Sequence, residues 1–122
     1  MDDFVDDLIG KARINSYFRQ VLETGLGMQI VIMSLLPGED IGAEVHLNNE
    51  QVLIAITGQG KVVLNGQENK FNQGDMVLVR AGVEHNFINT GDSELKIITI
   101  YSPPNHQDGL IHKTKAEAQQ EH

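Results

Sequence analysis

Four side chains in the middle of this 122-residue chain have the types and spacing to hold a metal ion: Glu44, His46, Gln51 and His85. Glu44 and His46 stand two apart. On a β-strand alternate residues share a face, so a carboxylate and an imidazole would project side by side. Gln51 and His85, on two further strand-like runs, can add a neutral carbonyl oxygen and a second imidazole. One carboxylate with two imidazoles is the ligand composition of the facial triad in non-haem iron centres, which leaves positions open for substrate or oxygen. Zn, Mn, Fe and Ni all accept such ligands. The bland alternative is a set of buried polar groups that hydrogen-bond one another. Glu50 competes with Gln51, being the better ligand by charge.

Strands must position these groups, and the chain supplies them. Phe18–Glu23, Met28–Leu35, Ala43–His46, Gln51–Thr57, Lys61–Leu64, Glu68–Phe71, Met76–Val79, Glu84–Ile88 and Glu94–Tyr101 are short runs separated by Gly-, Asn- or Pro-containing turns. Asn65-Gly66 between two of them is a hairpin signal, because a type I′ turn needs positive φ at both central positions. Many short strands with no long helix between them predict an antiparallel sandwich or barrel. Met28–Leu35 is apolar on nearly every residue, so both its faces should be covered. Residues 2–12 have Phe4, Val5, Leu8 and Ile9 at helical spacing, with Asp2 or Asp3 as cap and Gly10 as terminator. Ser102-Pro-Pro104 ends the last strand. Asn105–Gly109 is loop, and Thr114–Glu121 is a short helix or a frayed tail.

Composition narrows the functions. The hydrophobic fraction is 40%, enough for one modest core, and the net charge is −8 with only nine Lys and Arg. So acidic a chain is a poor partner for nucleic acid or an anionic membrane surface. There is no cysteine, hence no disulfide and no thiolate metal site. The acidic start lacks the basic character of a secretion signal, and no apolar run is long enough to span a bilayer. The expectation is a soluble cytoplasmic protein.

A longer pattern surrounds the four ligand candidates. Gly38, five residues, Glu44-x-His46, four residues, Gln51, six residues, Gly58 is its first half. Gly74, five residues, Arg80-x-Gly82, two residues, His85, three residues, Asn89 is its second. This resembles the paired motifs of the cupin family, small single-domain members in particular. Every spacing is met. Three residue types depart: Glu44 stands where a His is usual, Gln51 where a Glu is usual, and Arg80 where a Pro is usual. The charge of the ligand set is unchanged, since the single carboxylate has moved from the third position to the first.

The resemblance implies an all-β fold, an antiparallel double-stranded β-helix or jelly-roll barrel with a short N-terminal helix. It divides the chain into a helix and edge strand over 1–27, the barrel over 28–101 and a loop and tail over 102–122, all one domain. It implies a divalent transition metal at Glu44, His46, Gln51 and His85, and a homodimer formed through Met28–Leu35. By strand parity Leu53, Phe87 and Asn89 turn inward with the ligands and would line a substrate pocket. Arg80 could meet an anionic substrate or be a solvated loop residue. His106 and His112 read as surface residues, though they could close the pocket mouth. Tyr101 and Tyr17 could donate protons. Two enzyme classes compete, a dioxygenase and a metal-assisted isomerase (of sugars, for instance) or hydrolase. Their rival is a non-enzymatic module that binds or senses a metal or small ligand.

Overall fold

A computed structural model describes residues 4–120. The chain runs α1 (Leu8–Ile14), β1 (Arg19–Thr24), β2 (Gln29–Leu35), β3 (Glu50–Thr57), β4 (Gly60–Leu64), β5 (Gln67–Lys70), β6 (Met76–Val79), β7 (His85–Asn89), β8 (Leu95–Ser102), β9 (Ile111–His112) and α2 (Lys115–Gln120). Six strands form one sheet in the order β6-β3-β8-β2-β1-β9, and three form a second, β5-β4-β7. All pairings are antiparallel. The two facing sheets make the expected double-stranded β-helix.

Alternation along the strands builds the core. Val31, Met33 and Leu35 of β2, Leu53 and Ala55 of β3, and Leu95 and Ile97 of β8 point between the sheets and meet Phe71 and Phe87 from the other side. The intervening residues Ile32, Ile54, Ile98 and Ile100 face outward, where α1 brings Ala12 and Leu8 against them. So the second apolar face of β2 is covered in part by the chain's own helix. The Asn65-Gly66 turn has φ of 48° and 83°, as a type I′ hairpin requires.

Helix α1 begins later than the apolar spacing suggested. Asp7 is its N-cap, its carboxylate accepting from the Gly10 N–H at 3.1 Å. Phe4 and Val5 are exposed outside the helix, and Asp2 and Asp3 lie outside the described residues. Gly10 does not end the helix. It permits the cap, because a Cβ there would collide with the Asp7 carboxylate. The helix ends at Asn15, whose side chain donates to the Tyr17 carbonyl and accepts from the Tyr17 N–H. The buried Lys96 ammonium seals that end by donating to the Asn15 carbonyl.

Two further segments differ from expectation. Ala43–His46 is not a regular strand. Residues 38–46 follow β7 irregularly, with isolated bridges Asp40↔Ile88 and Glu44↔His85. β1 is not the sheet edge along its whole length, since β9 pairs with Arg19 and Gln20. That strand was missed because two residues carry no periodicity. The tail beyond it is helical: Thr114 Oγ1 accepts from the Glu117 N–H, an N-terminal cap for α2. Its predicted last residue, Glu121, lies outside the described residues.

Candidate metal centre

Glu44 is fixed through its backbone, which exchanges two hydrogen bonds of 2.9 Å with His85. His46 follows, its carbonyl accepting from the Gly82 N–H at 2.8 Å. These contacts carry the irregular 38–46 segment along β7 and set three side chains together. The ligand atoms of Glu44, His46 and His85 all lie within 4.8 Å of one another. The His46 and His85 rings are 5.2 Å apart.

Second contacts fix their chemistry. His85 Nδ1 lies 2.9 Å from the Val83 carbonyl. A carbonyl only accepts, so Nδ1 carries the proton and Nε2 keeps its lone pair. His46 Nε2 stands 2.9 Å from Glu44 Oε2, yet it is buried and out of line for a hydrogen bond. Burial pushes the Glu44 carboxyl up, but the His46 ring against it and the Arg19 charge outweigh it and hold the group below its ordinary 4.5. The carboxylate is therefore ionised at neutral pH.

Gln51 is buried on the inward face of β3. Its amide nitrogen donates to Thr99 Oγ1 at 3.0 Å, while its carbonyl oxygen is buried without a partner. The bland alternative, mutual hydrogen bonding with Glu44 and His46, is thus not what Gln51 does. Glu50 is exposed and drops out as a rival. The donor set fits a divalent cation: one carboxylate, two imidazoles, and two buried lone-pair atoms (His46 Nε2 and Gln51 Oε1) that no protein donor satisfies.

Of the residues expected to line a pocket, none borders the cleft beside these ligands. Leu53 and Phe87 turn inward but are core, Phe87 packing on Phe71 with ring centroids 5.0 Å apart. Asn89 is inward at the other end of β7. Its amide donates to the Leu35 and Ser93 carbonyls, and its oxygen accepts from the Gly91 N–H. That is structural work: both amide hydrogens and the oxygen are engaged with backbone. Arg80 is exposed.

The cleft, of about 520 Å³, is lined instead by Glu44, Val45 and His46 with residues from outside the motifs: Arg19, His106, Leu110, His112 and Ala118. His106 and His112 are therefore not surface residues; His112 is buried beside Arg19. Tyr101 is buried behind them, its hydroxyl 3.3 Å from His106 Nε2. Burial pushes the Tyr101 phenol up to about 12, and Glu44 adds to this against Arg19 and Thr99. Burial likewise presses His106 down to about 4, helped by the charge of Arg19 against that of Glu44. At neutral pH the pair is a protonated phenol and a neutral imidazole.

A cupin-domain family model matches residues 31–101. The chain belongs to the cupin family. YrkC, an uncharacterised protein of Bacillus subtilis, is 43% identical over 94% of this chain and 65% of its own length. An oxalate-binding protein of Thermotoga maritima is 26% identical over 56% of each chain. The chain thus spans less than two thirds of these curated relatives. The crystal structure of BH2720 from Bacillus halodurans superposes with a TM-score of 0.96 at 35% identity, covering 98% of this chain and 95% of that one. Among the described residues no helix is long and apolar enough to cross a membrane.

Proposed function

We propose that this cupin binds one divalent transition metal through Glu44, His46 and His85, with the Gln51 carbonyl as a fourth donor, and presents it to a small organic molecule in the adjoining cleft. The observation that carries this reading is the cluster of Glu44, His46 and His85 ligand atoms, all within 4.8 Å of one another, together with a buried Gln51 oxygen that no protein donor satisfies. A cation is the simplest occupant that would satisfy both. When bound, the metal would polarise an oxygen of the organic molecule or, if redox-active, exchange electrons with it. The protein's own part is to orient His85 through Val83, to keep Glu44 ionised, and to hold the Tyr101 proton beside the cleft. A dioxygenase and an isomerase or hydrolase remain the two enzymatic forms of this reading.

A binding module that turns nothing over is the second reading. It is favoured by the Thermotoga relative, which is named for binding oxalate. Elemental mass spectrometry of untagged protein tests both. About one equivalent of Fe, Mn, Ni or Zn is expected in wild type and little in His85→Ala. No metal after reconstitution would sink both forms of the metal reading. The metal found then selects the screen, oxygen uptake for iron or isomerisation and hydrolysis for zinc. Retained metal with tight ligand binding and no turnover favours the module.

We infer further that the protein is a cytoplasmic homodimer. Helix α1 covers Ile32, Ile56 and Ile98 on the outer sheet face but leaves Met76 and Leu78 of the edge strand β6 exposed. These two continue a partly buried apolar row, Val52, Ile54 and Ile100, across β3 and β8. A second copy of the same surface is the economical cover, because two-fold homodimers are the commonest assembly. Light scattering on wild type and Leu78→Glu should show a dimer becoming a monomer. A wild-type monomer would refute it.

A further inference from the structure

Arg19 lies outside both cupin motifs, yet it borders the metal-ligand cleft. It sits on the inward side of β1, opposite His112 of β9. It is only 7% exposed. Its guanidinium rests over the Phe18 ring, 5.2 Å from the centroid, and Nη1 donates to His112 Nδ1 at 3.2 Å. Its Nε is buried with no hydrogen-bond partner. Among the described residues no carboxylate forms a salt bridge with it.

An arginine is charged at any physiological pH and carries five N–H donors in a planar fork. A buried charge is costly unless paired, and native arginines buried to this degree ordinarily face a carboxylate or phosphate. Here a neutral imidazole nitrogen and an aromatic face take the place of the counter-ion. Glu44, the acidic group on the cleft wall, feels the Arg19 charge but forms no salt bridge with it. The guanidinium therefore has donors and charge left over at the wall of a cleft that also holds Glu44 and His46. His106 and Leu110 border the same space, one polar and uncharged, the other apolar, and the volume admits a small organic molecule.

We propose that Arg19 is the anion-recognition group of this site, and that the ligand is a small organic acid whose carboxylate pairs with the Arg19 fork while a second oxygen of the same molecule faces Glu44, His46 and His85. A hydroxy, keto or second carboxylate group would supply that oxygen. The proposal rests on the metal reading only for this second contact. The carboxylate contact belongs to Arg19 alone.

Glycolate and its neutral counterpart ethylene glycol are suitable probes, titrated into wild type and Arg19→Gln, each with and without reconstituted metal. In wild type, glycolate should bind and ethylene glycol should bind far more weakly. Arg19→Gln should lose about ten- to hundredfold in glycolate affinity, the range for a hydrogen bond to a charged group, with its metal content unchanged. In case the variant folds poorly, the wild-type ¹⁵N–¹H signal of Arg19 Nε gives a second reading. It should move as glycolate is added and stay put with ethylene glycol. Equal glycolate affinity in wild type and Arg19→Gln, a static Nε signal, or no glycolate binding at millimolar concentration would each overturn the proposal. If the protein takes up no metal but glycolate still shifts Nε, the metal reading falls and the Arg19 assignment stands.

Discussion

The two ends of β7 offer a controlled comparison. His85 and Asn89 are four residues apart on one strand, both inward and both buried, about 13 Å from end to end at the rise of a strand. At the Asn89 end both side-chain atoms are hydrogen-bonded to backbone, on Leu35, Ser93 and Gly91. At the His85 end the neighbours Arg19, His46, Asn49 and Gln51 each leave one buried atom unpartnered. A larger depression, about 780 Å³, lies at the Asn89 end beside Gly91 and Gln59, so size does not distinguish the two. Polar satisfaction does. The fold completes its hydrogen bonds where it only has to hold together and leaves lone pairs and a cation open where a ligand can complete them.

The largest effects should come from exchanging damage between the ends. His46→Ala should lower bound metal from about one equivalent to under about a tenth while leaving the metal-free protein folded. Asn89→Ala should do the reverse. It strands the buried Leu35 carbonyl and opens a cavity, so about 2–4 kcal/mol of stability should be lost with metal content intact. Urea unfolding and elemental analysis on both variants decide the matter. A His46→Ala protein as destabilised as Asn89→Ala would mean that the open end is structural too.

Gln51→Leu sharpens the same contrast at a smaller scale. The exchange removes the unpartnered carbonyl and keeps the volume. It also removes the amide that donates to Thr99 Oγ1. The metal-free protein should hold its stability to within about 1 kcal/mol. Metal affinity, read by competition with a chelator, should fall about tenfold. Unchanged affinity would remove Gln51 from the ligand set and leave the three-residue group alone.

Much of this was legible in the sequence, for reasons that differ between the ends. The strands over Gln29–Leu35, Glu50–Thr57 and Leu95–Ser102 follow from short apolar runs bounded by turn residues, and the inward parity of Gln51 and His85 follows from strand alternation. Glu44 and His46 were legible from motif spacing, though the strand assumed to carry them is an irregular segment tied to β7. Parity also placed Leu53, Phe87 and Asn89 inward, correctly, but parity gives a face and not a depth. Depth along the barrel axis separates a core residue from a cleft residue, and it depends on the whole sheet. Arg19 and His112 were illegible as a pair because the two-residue strand joining them has no pattern of its own. One signal did exist: Arg19 shares parity with buried Val21, and a charge on the inward face of a strand calls for an explanation.

The smallest expected effect concerns the wall of the open end that the tail provides. Ala118 of α2 borders the cleft, and α2 is tethered by the Lys115 ammonium to the Asp40 carboxylate on the irregular segment. The Asn86 amide, first, and Lys115 hold Asp40 below its ordinary 3.8 against the opposing push of burial. A lowered carboxyl contributes stability above the unfolded pKa near 3.8 and loses it as pH falls through the lower folded value. The pair is partly exposed and screened, so Asp40→Asn should cost under about 1 kcal/mol globally. Its local effect should be clearer. Amide exchange across 110–118 should quicken in Asp40→Asn at pH 7, while the barrel strands and Asn89 keep their protection. At a pH below the folded value the variant and wild type should exchange alike. Equal protection at pH 7 would mean that Leu110 and Ala118 hold the wall by packing alone, and that the open end, like the closed one, does not depend on a surface charge for its shape.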